Sequence, residues 1–301
     1  MTPSASLRRP GRAVFRRPWD RWGLLFLLAG LVYFLGIYIY PTLRTILISF
    51  TDYNLFTPPR FNGLSNYATL FRQGVFLESV RVTVIYVVVI GALNYVLPFG
   101  IALGLVSTRR LVGIGRAVYF LPVILPWVVV SAIWRAFYGA PGPIGSILGL
   151  VGIPFPVNPL TQPPTALSAI IVVALWRSFG FYVVLFLTGL FAIPEAYYEV
   201  ADLDGANGIQ RLRYVTFPLM RSTSLFIATV NFIGAIKEFD PFQVITAGGP
   251  AHATYAVTLF IYETGFKFLR MGRAAAASLL LCAAIVAVTV LQFRIFRPAR
   301  T

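Results

Sequence analysis

Little in this 301-residue chain is equipped for covalent chemistry. It holds one histidine, His252, and one cysteine, Cys282, too few for a His-ligated or Cys-rich metal centre or an internal disulfide. The two lysines, Lys237 and Lys267, lie outside any G-x-x-x-x-G-K-[ST] loop that would cradle a triphosphate, and neither G-x-S-x-G nor H-E-x-x-H occurs. Two other groups of residues stand out. Four of the ten acids, Glu195, Glu199, Asp202 and Asp204, cluster just ahead of Arg211, Arg213 and Arg221. Asn94, Arg177, Asn231, Lys237, Glu238 and Asp240 interrupt or adjoin apolar runs, where polar groups are costly and face a cavity or a partner helix. These residues can recognise and pass a solute, but they have no bond-making centre. The chain is expected to be non-catalytic, with no metal and no cofactor.

The elements that position these residues follow from composition. Charged residues are 12% and hydrophobic residues 58%, whereas a soluble domain carries about a quarter charged residues. A net charge of +15 ordinarily points to nucleic acid. Here the basic residues punctuate long apolar runs, which predicts a lipid-bilayer protein and no nucleic acid. A span needs roughly 20 apolar residues. Six runs qualify or nearly so: Gly23 to Leu43, Val82 to Thr108, Ala117 to Trp134 with Pro122 and Pro126 inside, Ala166 to Leu190 interrupted by Arg177, Ser222 to Ile236, and Ala274 to Phe293. The stretch 136–165 holds seven prolines and five glycines and reads as a loop. Ala251 to Tyr262 is too short to span and reads as interfacial. The first run exceeds a signal h-region and lacks a clear cleavage site, so it reads as a retained helix. The expected fold class is an all-α polytopic membrane protein of six transmembrane helices. A basic tail (1–21) precedes the transmembrane domain (22–293), and a second basic tail (294–301) follows it.

Fifteen of the 25 basic residues fall in four segments. Arg8, Arg9, Arg12, Arg16, Arg17 and Arg21 precede the first span, and Arg109, Arg110 and Arg116 follow the second. Arg211, Arg213 and Arg221 follow the fourth, and Arg294, Arg297 and Arg300 close the chain. Cytoplasmic loops carry the excess of Lys and Arg. An even span count puts all four segments on one face, so both termini are expected in the cytoplasm and the chain in the cytoplasmic (inner) membrane.

The loop between helices 4 and 5, about 191–220, reads EVADLDGANGIQRLRYVTFP from Glu199 to Pro218. Asp204-Gly205 and Asn207-Gly208 are turn signals between two short helical stretches. Gly205 suits a backbone conformation that a Cβ would strain, and Pro218 suits a helix start. The acids are expected near the positive end of the first short helix. On these grounds alone the loop is a solvated helical connector. Yet Glu199, Ala201, Asp204, Gly205, Ala206 and Pro218 match, at the right spacing, the E-A-A---G loop of ABC-importer permease subunits, with conservative departures at Val200, Leu212 and Phe217. The resemblance implies a coupling helix that docks into a cleft on an ATPase subunit.

Two further segments resemble the sugar-importing branch of these permeases, similar to maltose and glycerol-3-phosphate uptake subunits. One runs from Tyr40 to Phe71 and includes Ser49-Phe50-Thr51-Asp52 and Gly63-Leu64-Ser65-Asn66-Tyr67. The other is Phe239-Asp240 followed by TAGGPAHAT from Thr246 to Thr254. The resemblance implies alternating access and a set of partners: a second homologous permease, two ATP-binding subunits, an extracytoplasmic solute-binding protein, and a sugar or polyol substrate. Candidate pathway residues are Asn94, Trp176, Arg177, Tyr182, Asn231, Lys237 and Glu238, because aromatic faces beside hydrogen-bonding groups suit a sugar. Plainer roles compete. Lys237 can pair locally with Glu238 or Asp240, Asn94 can bond across helices, Trp176 can mark an interface, and Gly100 and Gly104 can serve helix packing. Arg177 suits either an anionic polyol or a neighbouring carboxylate. The rival function is an ion-coupled secondary transporter, which predicts repeated halves and a carboxylate deep in a span; no such repeat is visible.

Overall fold

The computed structural model describes residues 18–106, 119–139, 142–150, 152 and 158–295. Most of both tails and the Arg109–Arg116 loop lie outside the described residues. The helices are α1 (Trp22–Ser49), α2 (Ser65–Arg72), α3 (Gly74–Val106), α4 (Trp127–Tyr138), α5 (Pro143–Leu150) and α6 (Pro163–Phe191). They continue with α7 (Glu195–Leu203), α8 (Gly208–Leu219), α9 (Arg221–Ile236), α10 (Val257–Tyr262) and α11 (Met271–Ile295). The expected all-α membrane fold is present. One departure is a two-residue antiparallel ladder, Thr51 opposite Phe61 and Asp52 opposite Arg60.

Among the described residues four helices, α1, α3, α6 and α11, are long and apolar enough to cross a bilayer. The pair α8 and α9, bent by 70°, is apolar enough to count as a fifth only when both are taken together. The run expected as the third span is not one continuous helix. It is helical over 119–124, breaks at Leu125 and Pro126, and resumes as α4. Pro126 lacks an N–H and crowds the preceding turn. The proline-rich stretch 136–165 is more ordered than a loop: it contains α5, and its last two prolines open α6, where their missing N–H groups cost nothing.

α3 packs along α6 at the centre of the molecule. One apolar cluster gathers Tyr86, Ile90, Ile170, Val173, Phe242 and Leu259, and a second gathers Phe99, Tyr182, Phe186, Leu187, Met220 and Ile227. None of the spanning window of α1 is buried, and side chains such as Phe26 and Leu27 are 75% and 66% exposed. A helix apolar all round and open to its surroundings is stable in lipid.

The Ser49–Tyr67 region forms a clasp. Asn66 Nδ2 donates to the carbonyls of Ser49 at 2.8 Å and Thr51 at 2.9 Å, and the Tyr67 hydroxyl donates to Ser49 Oγ at 2.9 Å. Gly272, at the start of α11, lies so close that a Cβ there would sit 2.0 Å from the Thr51 carbonyl oxygen. The spacing in this segment therefore ties the end of α1 to α2 and α11. By contrast, among the described residues a Cβ on Gly100 or Gly104 would meet nothing within 4 Å. The segment Ala251 to Tyr262 is not surface-lying. Tyr255, Ala256, Val257, Leu259 and Phe260 are buried, and Val257 N–H donates to Thr83 Oγ1 on α3 at 2.9 Å. Thr246 and Thr254 close the G-G-P turn with a 2.7 Å hydroxyl contact, and Thr254 also donates to the Gly249 carbonyl at 2.7 Å.

Candidate functional site

Five of the seven expected pathway residues meet in one cavity of about 320 Å³. Asn94 comes from α3, Arg177 and Tyr182 from α6, Asn231 from α9, and Glu238 from the segment just beyond α9. Ser178, Phe181 and Trp127 complete the wall with apolar neighbours. α6 presents residues 177, 178, 181 and 182 together because positions three and four apart share a helix face. Trp127 arrives through the break at Pro126, which starts α4 at the cavity wall.

The polar groups bond in an ordered way. Asn231 Nδ2 donates to the Gly91 carbonyl at 3.0 Å, Ser178 Oγ donates to Asn94 Oδ1 at 2.9 Å, and Asn94 Nδ2 reaches Asn231 Oδ1 at 3.4 Å. The Arg177 guanidinium lies 4.4 Å over the Trp127 ring, and its Nε donates to the Leu125 carbonyl at 3.3 Å. That carbonyl is free of helical partners because Pro126 interrupts the helix. The Tyr86 hydroxyl donates to Glu238 Oε2, and Thr258 Oγ1 donates to the Glu238 carbonyl at 2.6 Å. The wall can thus offer amides, hydroxyls and ring faces to a solute.

Two expected residues are elsewhere. Trp176 is 42% exposed and packs edge-on against Trp134 at 5.5 Å, one position round the helix from Arg177. Lys237 is exposed at the end of α9 and does not line the cavity. Sequence reasoning missed Tyr86, Trp127 and Ser178. Tyr86 and Trp127 carry no motif and count as ordinary apolar residues within a span. Ser178, one position after Arg177, was the one with a usable signal.

The second site is the elbow formed by α7 and α8. Gly205 takes a left-handed φ of +74° at the turn, a conformation that side chains with a Cβ resist. Asn207 caps α8: its Oδ1 accepts from Gln210 N–H at 2.9 Å while Gln210 Oε1 accepts from Asn207 N–H at 2.8 Å. Arg211 pairs with Asp202 at 2.7 Å across the turn. Only Glu195 sits in the first turn of α7; Asp202 falls in the last turn and Asp204 at the C-cap. The expectation that the acids serve the helix dipole therefore holds for Glu195 alone. Asp202 instead bonds to α8.

Of the matching loop residues, Ala201 is buried and seats α7, and the Ala206 N–H donates to the Ala201 carbonyl at 2.9 Å. Pro218 lies near the end of α8, and Glu199 and Asp204 are exposed. The apolar residues around them point outward as well: Leu203 is 89% exposed, Ile209 78%, Tyr214 68% and Val200 57%. Exposed apolar side chains rimmed by charge mark a docking surface. Among the described residues no three His, Cys, Asp or Glu side chains converge to hold a metal ion.

Residues 96–300 match the family described as binding-protein-dependent transport system inner membrane component. The chain is 34% identical over 242 residues to the sn-glycerol-3-phosphate transport system permease protein UgpA of Agrobacterium fabrum, covering 78% of this chain and 80% of that one. It is 31% identical over 282 residues to the trehalose/maltose transport system permease protein MalF of Thermococcus litoralis, covering 92% and 94%. Its fold resembles a chain of a bacterial ABC transporter involved in the import of the acidic polysaccharide alginate, with a TM-score of 0.80 at 20% identity, covering 94% of this chain and 97% of that chain. The chain belongs to the binding-protein-dependent transport system inner membrane component family and is a permease subunit of an ABC importer.

Proposed function

We propose that this permease carries a sugar or related polyol through the cavity at Arg177 and Asn231, driven by a separate ATPase that docks on the α7–α8 elbow. One observation carries the reading: the helices that frame the cavity are the ones that emerge from the elbow. From Arg177, α6 continues to its end at Phe191 and reaches α7 through three residues, and α9 starts after a single residue beyond α8 and carries Asn231. At 1.5 Å per residue the cavity lies roughly 15–20 Å from the elbow along either helix. A rigid displacement of the elbow is transmitted to both cavity walls at once.

In this reading Glu199, Ala201, Asp204, Gly205, Ala206 and Pro218 build the coupling loop. Leu203 and Ile209 are its apolar contacts with the ATPase. Two ATP-binding subunits, a second homologous permease and an extracytoplasmic binding protein complete the machine, which sits in the cytoplasmic membrane with both basic tails inside. The relatives named above, for trehalose/maltose and glycerol-3-phosphate, support a sugar or polyol as cargo, and the amide, hydroxyl and aromatic wall suits one. The test is ATP-dependent uptake by the reconstituted complex with its binding protein, and the same assay with Glu199→Ala and Gly205→Val. Uptake without ATP hydrolysis overturns the importer mechanism. Normal uptake and normal ATPase assembly in both variants overturn the coupling role.

A further inference from the structure

A groove of about 640 Å³ lies among α3, α9 and α11. Of its lining residues only Asn231 also lines the solute cavity. Gly91, Ala92, Ala228 and Ala284 border the groove, and residues this small leave open a volume that longer side chains would fill. Each polar side chain on its wall is bonded within the chain. Thr83 Oγ1 donates to the Ser79 carbonyl at 2.8 Å and accepts from Val257 N–H at 2.9 Å. Asn231 Nδ2 donates to the Gly91 carbonyl at 3.0 Å and the Tyr95 hydroxyl to Ser224 Oγ at 2.9 Å. Gln292 Oε1 accepts from the Thr229 hydroxyl at 3.2 Å. The surface left for an occupant is chiefly alkyl and ring, from residues such as Val84, Val88, Phe232 and Val288. A hydroxyl-rich solute finds little to bond here, whereas an alkyl chain fits such a surface.

Charge marks one end of the groove. Arg221 precedes Ala228 by seven residues, two turns along the same face of α9. It donates through Nη2 to the Ile295 carbonyl at 3.0 Å, so it bridges α9 to the end of α11 on the elbow side. Arg294, next to Ile295 and two residues beyond Gln292, is exposed. Among the described residues neither arginine pairs with a carboxylate. The length also fits. The lining runs from Thr83 to Tyr95 on α3 and from Ala284 to Gln292 on α11, about 18 and 12 Å at 1.5 Å per residue. One leaflet is half of a hydrocarbon core roughly 30 Å thick. Arginines at a membrane surface attract anionic headgroups, and their alkyl stems follow apolar surface to reach them. We infer that the groove is a binding site for an anionic phospholipid, with one acyl chain between α3, α9 and α11 and the phosphate at Arg221 and Arg294. The site depends on neither the solute nor the ATPase.

The test places the full-length permease in nanodiscs, alone and assembled with its partner subunits. Each bilayer carries a trace of phosphatidylglycerol or phosphatidylcholine with a photoactivatable acyl chain, and cross-linked peptides are mapped by mass spectrometry. In both preparations phosphatidylglycerol should label the groove segments of α3, α9 and α11 at least fivefold more than the open face of α1 around Phe26 and Leu27. Phosphatidylcholine should label the groove at least threefold less than phosphatidylglycerol does. Ala284→Phe, which fills the groove, should lower groove labelling at least fivefold with α1 labelling unchanged. The Arg221→Gln/Arg294→Gln double variant should remove the difference between the two lipids. Equal labelling of groove and α1 by phosphatidylglycerol means annular lipid only and overturns the site. Equal groove labelling by the two lipids overturns the preference for an anionic headgroup. Groove labelling of the permease alone that vanishes on assembly gives the groove to the second permease and overturns the lipid as its occupant. Unchanged labelling in a folded variant overturns the contacts assigned to the residues it replaces. The comparison of the two lipids on the native chain decides the inference even if neither variant folds.

Discussion

Replacing Leu203 with alanine separates docking from folding. The side chain is 89% exposed at the tip of the elbow, so its loss leaves no cavity and breaks no packing within the chain. Substitutions at such positions normally change stability by less than about 0.5 kcal/mol. Burial of a whole leucine side chain is worth about 1.5–3 kcal/mol. If most of Leu203 enters an ATPase cleft, truncation to the Cβ removes about 1–2 kcal/mol of association free energy. That corresponds to a roughly 5–30-fold weaker complex. Ile209, 78% exposed on the other arm of the turn, should give a similar loss when changed to alanine. The assay titrates the ATPase onto nanodisc-embedded permease and follows, in parallel, the thermal midpoint of the permease alone. Weakened association with an unchanged midpoint is expected. Unchanged affinity in both variants would refute docking through the apolar tip, and a lowered midpoint would refute the premise that the tip is free of intramolecular work.

Two further tests probe the scaffold. A methyl added at Gly180 would lie 1.9 Å from the Tyr119 carbonyl oxygen, a backbone atom that cannot swing aside; Gly180→Ala should cost about 1–3 kcal/mol by overpacking, seen as a lower thermal midpoint, while Gly100→Ala, with nothing within 4 Å, should not lower it. Between α10 and α11, burial alone would raise the Glu263 carboxyl, but hydrogen bonds from Lys267 Nζ and the Tyr255 hydroxyl, both at 2.6 Å, outweigh it and hold it below its ordinary 4.5. A depressed carboxyl contributes stability above that ordinary value and loses it as the pH falls through the folded one. Hydrogen-exchange protection of the Phe268 and Arg270 amides, which bond to the Glu263 and Thr264 carbonyls, should therefore decline below pH 4.5. In Lys267→Met the folded value lies closer to the ordinary one, so the decline should be smaller, and an equally large decline would count against the ion pair as its cause.

Much of this protein was legible without coordinates because its constraints are one-dimensional. A bilayer imposes a length on apolar runs, and α3, α6 and α11 fall where those runs lie. The turn at Gly205 and the two short helices around it were readable from Asp-Gly and Asn-Gly, since turn chemistry is local. The polar interruptions Asn94, Arg177, Tyr182, Asn231 and Glu238 could be named as candidates, because a polar residue inside an apolar run needs a local reason.

What only the tertiary structure decided are relations between distant segments. Trp176 and Arg177 are neighbours in sequence, yet one packs on Trp134 and the other lines the cavity, a choice made by the rotation of α6 against α3 and α4. Lys237 and Glu238 divide in the same way. The break at Pro126 became meaningful only when the Leu125 carbonyl was found bonded to Arg177. Asn66 and Tyr67 acquired a role only when they reached back to Ser49. Sequence alone supplied the apolar lengths, the turns and the list of polar interruptions, because each depends on a residue and its near neighbours. Which interruptions share a cavity depends on contacts between residues far apart in the chain, and those exist only once the helices pack.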